Sequence, residues 1–427
     1  MSSSLWFVPI LCVLAGVGLS FGTIAIDRSA GTIIPRWLSG DPDAALAILM
    51  TVAASMVTLT VLVLTITMVV VQLAMGQFTP RVLRTILRDR PSQFAIGVFV
   101  ATFAHAMLVM REVRHPSDGS PDGFVPGFAI AVAFVLIIVS IMVLVSYVNH
   151  IGQSLRAASL IDSVGDDTRD LLVELYPTVR PQEPRADDLP SGPPQQIVVA
   201  PSSGVVYKVG EQELVKLATR ADVTIVLQPS LGDFVPQGAA VFAVYGGDGL
   251  EDDDLLRAVA FGKERTLHQD VAYGIRMLVD VAVRTLAPTS GDPTTAVQAI
   301  DRVHDCLRLL VSRPFPSGFH HDETGRVRFV APELSWEGYV HVALDELRHF
   351  ALQSIQATRR VAAMLEDLIA VAPEDRRQPL RCQLDLLDRA AHHAFDPSGD
   401  GDWAMVPDQQ GVGSARERMF QRTNSDG

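Results

Sequence analysis

His341, Asp345 and His349 recur every four residues in a helical pattern, and imidazole with carboxylate is a reasonable ligand set for zinc or iron. A straight row on one helix cannot bring three ligands to one ion, so a solvated face is the better reading and no metal site is assigned. The adjacent pairs His320-His321 and His392-His393 point apart along the chain. Cys12, Cys306 and Cys382 have neither zinc-site nor disulfide-framework spacing, and three unpaired thiols suit a reducing compartment. P-loop, nucleophile-elbow, GxGxxG and H-E-x-x-H motifs are all absent from the sequence. No catalytic residue and no cofactor is therefore assigned, and enzymatic activity is not supported.

A second set of residues suggests binding. Arg265, Asp270, Arg276, Asp280 and Arg284 alternate in charge along a helical stretch. Arg276 with Asp280 and Asp280 with Arg284 are i,i+4 pairs, whereas Asp270 and Arg276 are out of phase. Asp292-Pro293-Thr294-Thr295 reads as a helix start, with Asp292 as the N-cap and Pro293 in the first turn. Salt bridges at a helix or subunit contact are the plain reading. The sharper one is a small anion held by Arg265, Arg284 and the free N–H groups near Thr294 and Thr295.

These residues hang on a chain of two unlike parts. Of its 427 residues, 48% are hydrophobic and 19% charged, against about 25% charged in average soluble chains. Residues 1–150 hold 8 Arg and 7 acidic residues, and the remainder holds 27 basic and 41 acidic. A purely soluble protein, a disordered chain and a disulfide scaffold are excluded, and an acidic soluble region argues against nucleic acid as a partner. Four uncharged apolar runs, Leu5–Ile26, Ala44 to about Ala74, Phe94–Met110 and Phe128–Val148, are long enough to span a bilayer. The first lacks the basic start of a cleaved signal peptide and reads as a retained helix. With four spans, the side bearing Arg81, Arg84, Arg88, Arg90, Arg156 and Arg169 outweighs that bearing Arg28, Arg36, Arg111 and Arg114. The positive-inside rule then places the soluble region in the cytoplasm of a bacterial inner membrane.

The second run carries no charge for 37 residues, Ala44 to Pro80, and as a helix would exceed the bilayer core and project beyond it. Thr51, Thr58, Thr65, Gln72 and Thr79 recur in it every seven residues. Such a repeat keeps one face toward a partner helix, and hydroxyls help membrane helices associate. The stripe is read as helix packing, with the hydroxyls bonded to their own backbone, or as a pore or oligomer lining. His105 is the ionisable residue inside a span, either a structural hydrogen-bonder or a proton or ion site.

The expected fold is a membrane α-helical domain (1–150, four transmembrane helices) followed by a cytoplasmic α+β region. That region comprises an amphipathic helix and Pro-rich linker (151–195), a small β module (196–250), an α-helical domain (251–395) and a disordered tail (396–427). In the β module, Ser203-Gly204-Val205-Val206 and Gly232-Asp233-Phe234-Val235-Pro236-Gln237-Gly238 look like the hammerhead of lipoyl- and biotinyl-type barrel-sandwich domains. The glycines supply positive φ, but the carrier lysine is missing, so a non-carrier barrel-sandwich-like module is expected. In the helical domain the spacing predicts helices over Lys263–Leu286, Asp292 to about Ser312, Pro332–Val371 and Glu374–Ala394.

Three stretches in order carry a family resemblance. They are Gln72-Leu73-Ala74-Met75-Gly76-Gln77-Phe78-Thr79-Pro80-Arg81; Arg265-Thr266 with Gln269-Asp270-Val271-Ala272-Tyr273-Gly274; and Arg284-Thr285-Leu286-Ala287-Pro288 with Asp292-Pro293-Thr294-Thr295-Ala296. The chain resembles, over about residues 5–395, a family of predicted bacterial multi-pass membrane proteins classed as a domain of unknown function, with QFSPR and ALSPG-x-NDP-x-TA motifs. Thr79 and Ala287 stand where that family has Ser, and Gly291 where it has Asn. The resemblance implies an architecture and no activity. The functional expectation is an oligomeric channel or transport-related protein gated by its cytoplasmic domain. The alternative is a membrane-anchored sensor or scaffold binding a small ligand or protein partner. The lipid bilayer and further copies of the chain are the expected partners.

Overall fold

The computed structural model describes residues 7–30, 41–77, 90–115, 124–154, 157–178, 192–247, 249–288 and 291–413. Thr79 and the QFTPR stretch from Phe78 lie outside them, as does residue 155–156 between two helices. The chain divides into two compact units, residues 1–159 and 160–427.

The first unit is a bundle of four helices, each long and apolar enough to cross a membrane. They are α1 (Phe7–Ala30), α2 (Pro42–Gln77), α3 (Arg90–Met110) and α4 (Gly127–Ser154). α3 is the central helix, packed against the other three. Small residues let it approach α1 closely: a Cβ on Gly16 would meet Ala101, and one on Gly97 would meet Cys12. On α2 the buried positions Leu49, Met56, Val63 and Val70 recur every seven residues, which is the packing seam of this helix.

Helix α5 (Ala157–Leu175) belongs to the second unit for most of its length. Its strands follow the β-rich runs of the sequence: β1 (Gln196–Val199), β2 (Gly204–Val209), β3 (Thr224–Leu227), β4 (Phe234–Val235), β5 (Ala240–Tyr245) and β6 (Val259–Gly262). Helix α6 (Glu211–Ala221) interrupts them after β2, and the short α7 (Asp252–Arg257) precedes β6. Two further strands, β7 (Phe319–His321) and β8 (Val327–Val330), arise far along the chain. They complete a five-stranded sheet in the order β1-β5-β3-β8-β7, while β4-β2-β6 forms a separate three-stranded sheet. Antiparallel pairing dominates, but β3 and β8 are parallel, with Ile225 opposite Phe329. No closed barrel forms among the described residues. The hammerhead glycines do take positive φ, +89° at Gly232 and +81° at Gly238. The long-range β8 insertion and α6, which covers Phe329 with Leu214 and Ala218, extend one sheet instead of closing it.

The remaining helices are α8 (Val271–Leu286), α9 (Pro293–Leu310), α10 (Trp336–Ala351), α11 (Ile355–Val371), α12 (Arg377–Phe395) and α13 (Gly401–Ala404). α8 is buried along most of its length, between α9 and α10. α5 crosses it where a Cβ on Gly274 would overlap the Thr168 side chain. Three expectations differ here. The helix expected from Lys263 begins at Val271, because Asp270 caps it by accepting from Tyr273 N at 2.9 Å. The helix expected over Pro332–Val371 is two helices, because Ser354 caps a second start on Ala357 N. Residues 396–413, expected to be disordered, are folded onto α11, because the buried Arg359 needs them: its Nε donates to Val406 O at 2.8 Å and its guanidinium lies 4.2 Å from the Trp403 ring centre.

Candidate functional site

The sequence-derived binding residues separate into two places. Arg265 is ion-paired with Asp270 at 2.8 Å at the start of α8, its guanidinium over the Cβ position of Gly232. Burial raises the Asp270 carboxyl above its ordinary range against the opposing pull of Arg265. Arg284, Asp292, Thr294 and Thr295 sit at the other end of α8 and the start of α9. The 16 residues of α8 put about 24 Å between these ends. One small anion cannot touch both.

The second group is accounted for by the turn joining α8 to α9. Asp292 caps α9, its carboxylate accepting from Thr295 N at 3.1 Å, and Asp292 N donates to Thr285 O at 3.0 Å. Gly291 has φ +57°, a left-handed conformation that Asn also tolerates. The N–H offered by Thr295 to an anion is already occupied. The i,i+4 pair Arg276–Asp280 forms at 2.7 Å, and Arg276 also reaches Glu346.

The α2 stripe faces away from the other helices of its own chain. Thr51, Thr58, Thr65 and Gln72 are exposed, and the three threonine hydroxyls donate to the carbonyls of Ala47, Ala54 and Val61. At 100° per residue, Thr51 lies 200° around the helix from Leu49 of the packing seam. Inside the bundle the contact falls to another hydroxyl: Thr67 Oγ1 is 2.7 Å from the buried Tyr147 hydroxyl on α4.

His105 on α3 is fully buried. Its Nε2 donates to Ala129 O at 3.1 Å on α4, and its Nδ1 is 2.9 Å from Ser20 Oγ on α1. One ring therefore ties three helices. Beside it Asp27, also buried, accepts from Phe128 N and Ala129 N, both at 2.9 Å, capping α4 from α1. Sequence reasoning passed over Asp27 because it falls one residue beyond the apolar run. In the soluble unit, His341 Nδ1 is 2.9 Å from Asp345, which also accepts from Gln383; no metal-capable cluster of three or more ligands occurs among the described residues.

One feature of the second unit was not singled out by the sequence. A cleft of about 810 Å³ lies between α6 and the β7 hairpin. α6 contributes Lys216 and Arg220, one turn apart, and β7 contributes His320 and His321 from the opposite wall. The β7–β8 register shifts between the two histidines, so that they oppose Phe329 and Val327 and both face the α6 side, overriding the simple alternation of a strand. His320 Nδ1 lies 3.6 Å from Glu211. Asp322, at the hairpin, is consumed by Thr324, by Arg328 at 2.7 Å and by backbone N–H groups, which hold its carboxyl well below the usual range. Lys216 and Arg220 form no ion pair among the described residues. Several other arginines of the unit are ion-paired: Arg169 with Asp305, Arg302 with Asp162 and Asp166, Arg308 with Asp367, and Arg360 with Asp301.

The family described as "Predicted membrane protein (DUF2254)" matches residues 2–367. An uncharacterized protein of Mycobacterium bovis is 30% identical over 419 residues, covering 95% of this chain and 79% of its own length. An uncharacterized protein of Mycobacterium tuberculosis matches with the same identity and coverage. No solved structure matches the chain.

Proposed function

Since the chain belongs to the DUF2254 family of predicted membrane proteins, we propose that it is a membrane-anchored receptor for a small anion bearing phosphate or carboxylate groups. The bundle holds it in the membrane, and the cleft between α6 and β7 binds the ligand. We place the cleft on the cytoplasmic side of a bacterial inner membrane, on the arginine distribution of the loops. The observation that carries the reading is the pair Lys216 and Arg220, which form no ion pair among the described residues and line one cleft with His320 and His321, alongside the carboxylates of Glu211 and Glu323. An unpaired cation pair in that setting recruits an anion, and charge-assisted hydrogen bonds to it are strong.

Calorimetry of the full chain in detergent with inorganic phosphate, pyrophosphate and citrate tests this. Wild type should bind at least one of the three, and Lys216→Ala with Arg220→Ala should weaken it at least tenfold. Absence of heat with all three, or undiminished binding by the folded double variant, would overturn the reading.

A second reading is an oligomeric channel gated by the soluble unit. It is favoured by the α2 polar stripe, which faces away from the packing seam and so is open to a second copy of the chain. The receptor reading stands ahead of it because the stripe hydroxyls are spent on their own backbone carbonyls.

A further inference from the structure

We propose that the groove between α1 and α3 binds one anionic phospholipid, with its phosphate at Arg28 and Arg111 and an acyl chain along Phe21, Ile24 and Leu108. The groove has a volume of about 610 Å³ and is lined by both helices. It sits in the last three turns of α1 and the end of α3, which are the ends of two membrane-spanning stretches. Phe21 and Arg28 are seven residues apart on α1, about 10 Å along the helix. That is the depth over which a bilayer passes from acyl chain to headgroup.

The charges at the mouth are unequal. Arg28 Nη2 is paired with Glu112 at 2.5 Å, which offsets that arginine's charge and fixes it in place. Arg111 is exposed and has no ion-pair partner among the described residues. The mouth thus carries one net positive charge above apolar walls. A zwitterionic lipid would bring its own ammonium against Arg111, whereas a phosphatidylglycerol brings phosphate alone. A free anion would satisfy the arginines and leave the walls unused. Phe21, 63% exposed beside the buried Ile24, presents its ring where an acyl chain would lie. Basic pockets between membrane helices are recurrent lipid-headgroup sites.

Native mass spectrometry of the full chain, released from neutral detergent with added phosphatidylglycerol or phosphatidylcholine, counts the lipids retained. The expected result is one phosphatidylglycerol per chain, no comparable retention of phosphatidylcholine, and at least tenfold lower retention by Arg111→Gln. Leu108→Trp, which fills the groove and leaves both arginines intact, should lower retention as well. It decides the matter if the arginine variant does not fold. Equal retention of the two lipids would overturn the site. So would undiminished retention by both variants when folded. Displacement of the lipid by millimolar glycerol 3-phosphate would show a soluble-anion site and overturn the lipid assignment.

Discussion

His304 shows how finely one side chain is specified. Arg360 Nη2 donates to its Nδ1 at 2.9 Å, so the ring carries its proton on Nε2, which donates to Asp367 at 2.8 Å. A second proton would have to sit on Nδ1, facing the guanidinium. Burial, with the nearby Arg360 and Arg308, lowers the His304 pKa below its ordinary 6.5, against the pull of Asp367. The unfolded chain therefore takes up this proton first, and stability falls as pH drops through 6.5. His392 has the opposite sign, its pKa being raised chiefly by its hydrogen bond to the Asp388 carbonyl. The difference between wild type and His304→Gln isolates the buried ring. Unfolding monitored from pH 8 to 5.5 should show a weaker pH dependence in the variant, whose stability is also lower by about 1–3 kcal/mol from the groups left unsatisfied. An unchanged slope would remove His304 from the titration. Nothing in the sequence pointed to this cluster, because Asp301, His304, Arg360 and Asp367 lie on two helices and meet only when α9 packs on α11.

Among elements, periodicity was most legible where the solvent is most demanding. All four apolar runs are helices, since a bilayer leaves the backbone few alternatives. The repeat of seven on α2 was also legible, but it serves two rows: the apolar row 49/56/63/70 packs, and the polar row 51/58/65/72 is displaced to the opposite side. Spacing alone cannot choose between two rows with one period. If the polar row lines an oligomeric pore, Thr58→Val with Thr65→Val should lower ion flux through reconstituted liposomes severalfold, while stability stays within about 0.5 kcal/mol for substitutions outside the packed core. Unchanged flux in the folded double variant would leave α2 as a lipid-facing helix. Caps were legible where the signature was local, as at Asp292-Pro293. They were missed where a single serine, Ser354, splits an otherwise continuous helical pattern.

Over the whole molecule, the least legible features join distant parts of the chain. The segment 396–413 is rich in Gly and Asp, the composition of an unfolded tail, yet Asp408 is buried and accepts from Gln410 N and Gly413 N. What holds the segment is Arg359, a residue whose burial no local pattern announces. Truncation before Asp396 removes the Trp403 face and the carbonyls of Val406 and Gly413 from that guanidinium. It should cost about 2–4 kcal/mol, read as a lower thermal midpoint of the soluble transition in the truncated protein than in the full-length one. An unchanged midpoint would make the segment dispensable. The cleft was hidden for the same reason: its two walls, α6 and β7, are separated by about a hundred residues and are brought together by β3 and β8.

That parallel pair also sets a clock. Ile225 leaves the ribosome 104 residues before Phe329, the residue it will face. At about 5–20 residues per second, the open edge of β3 waits some five to twenty seconds for its neighbour, while the apolar helices ahead of it are already entering the bilayer. During synthesis the second unit carries a bare strand edge. The interval in which a chaperone is most needed is therefore written into the order of the strands.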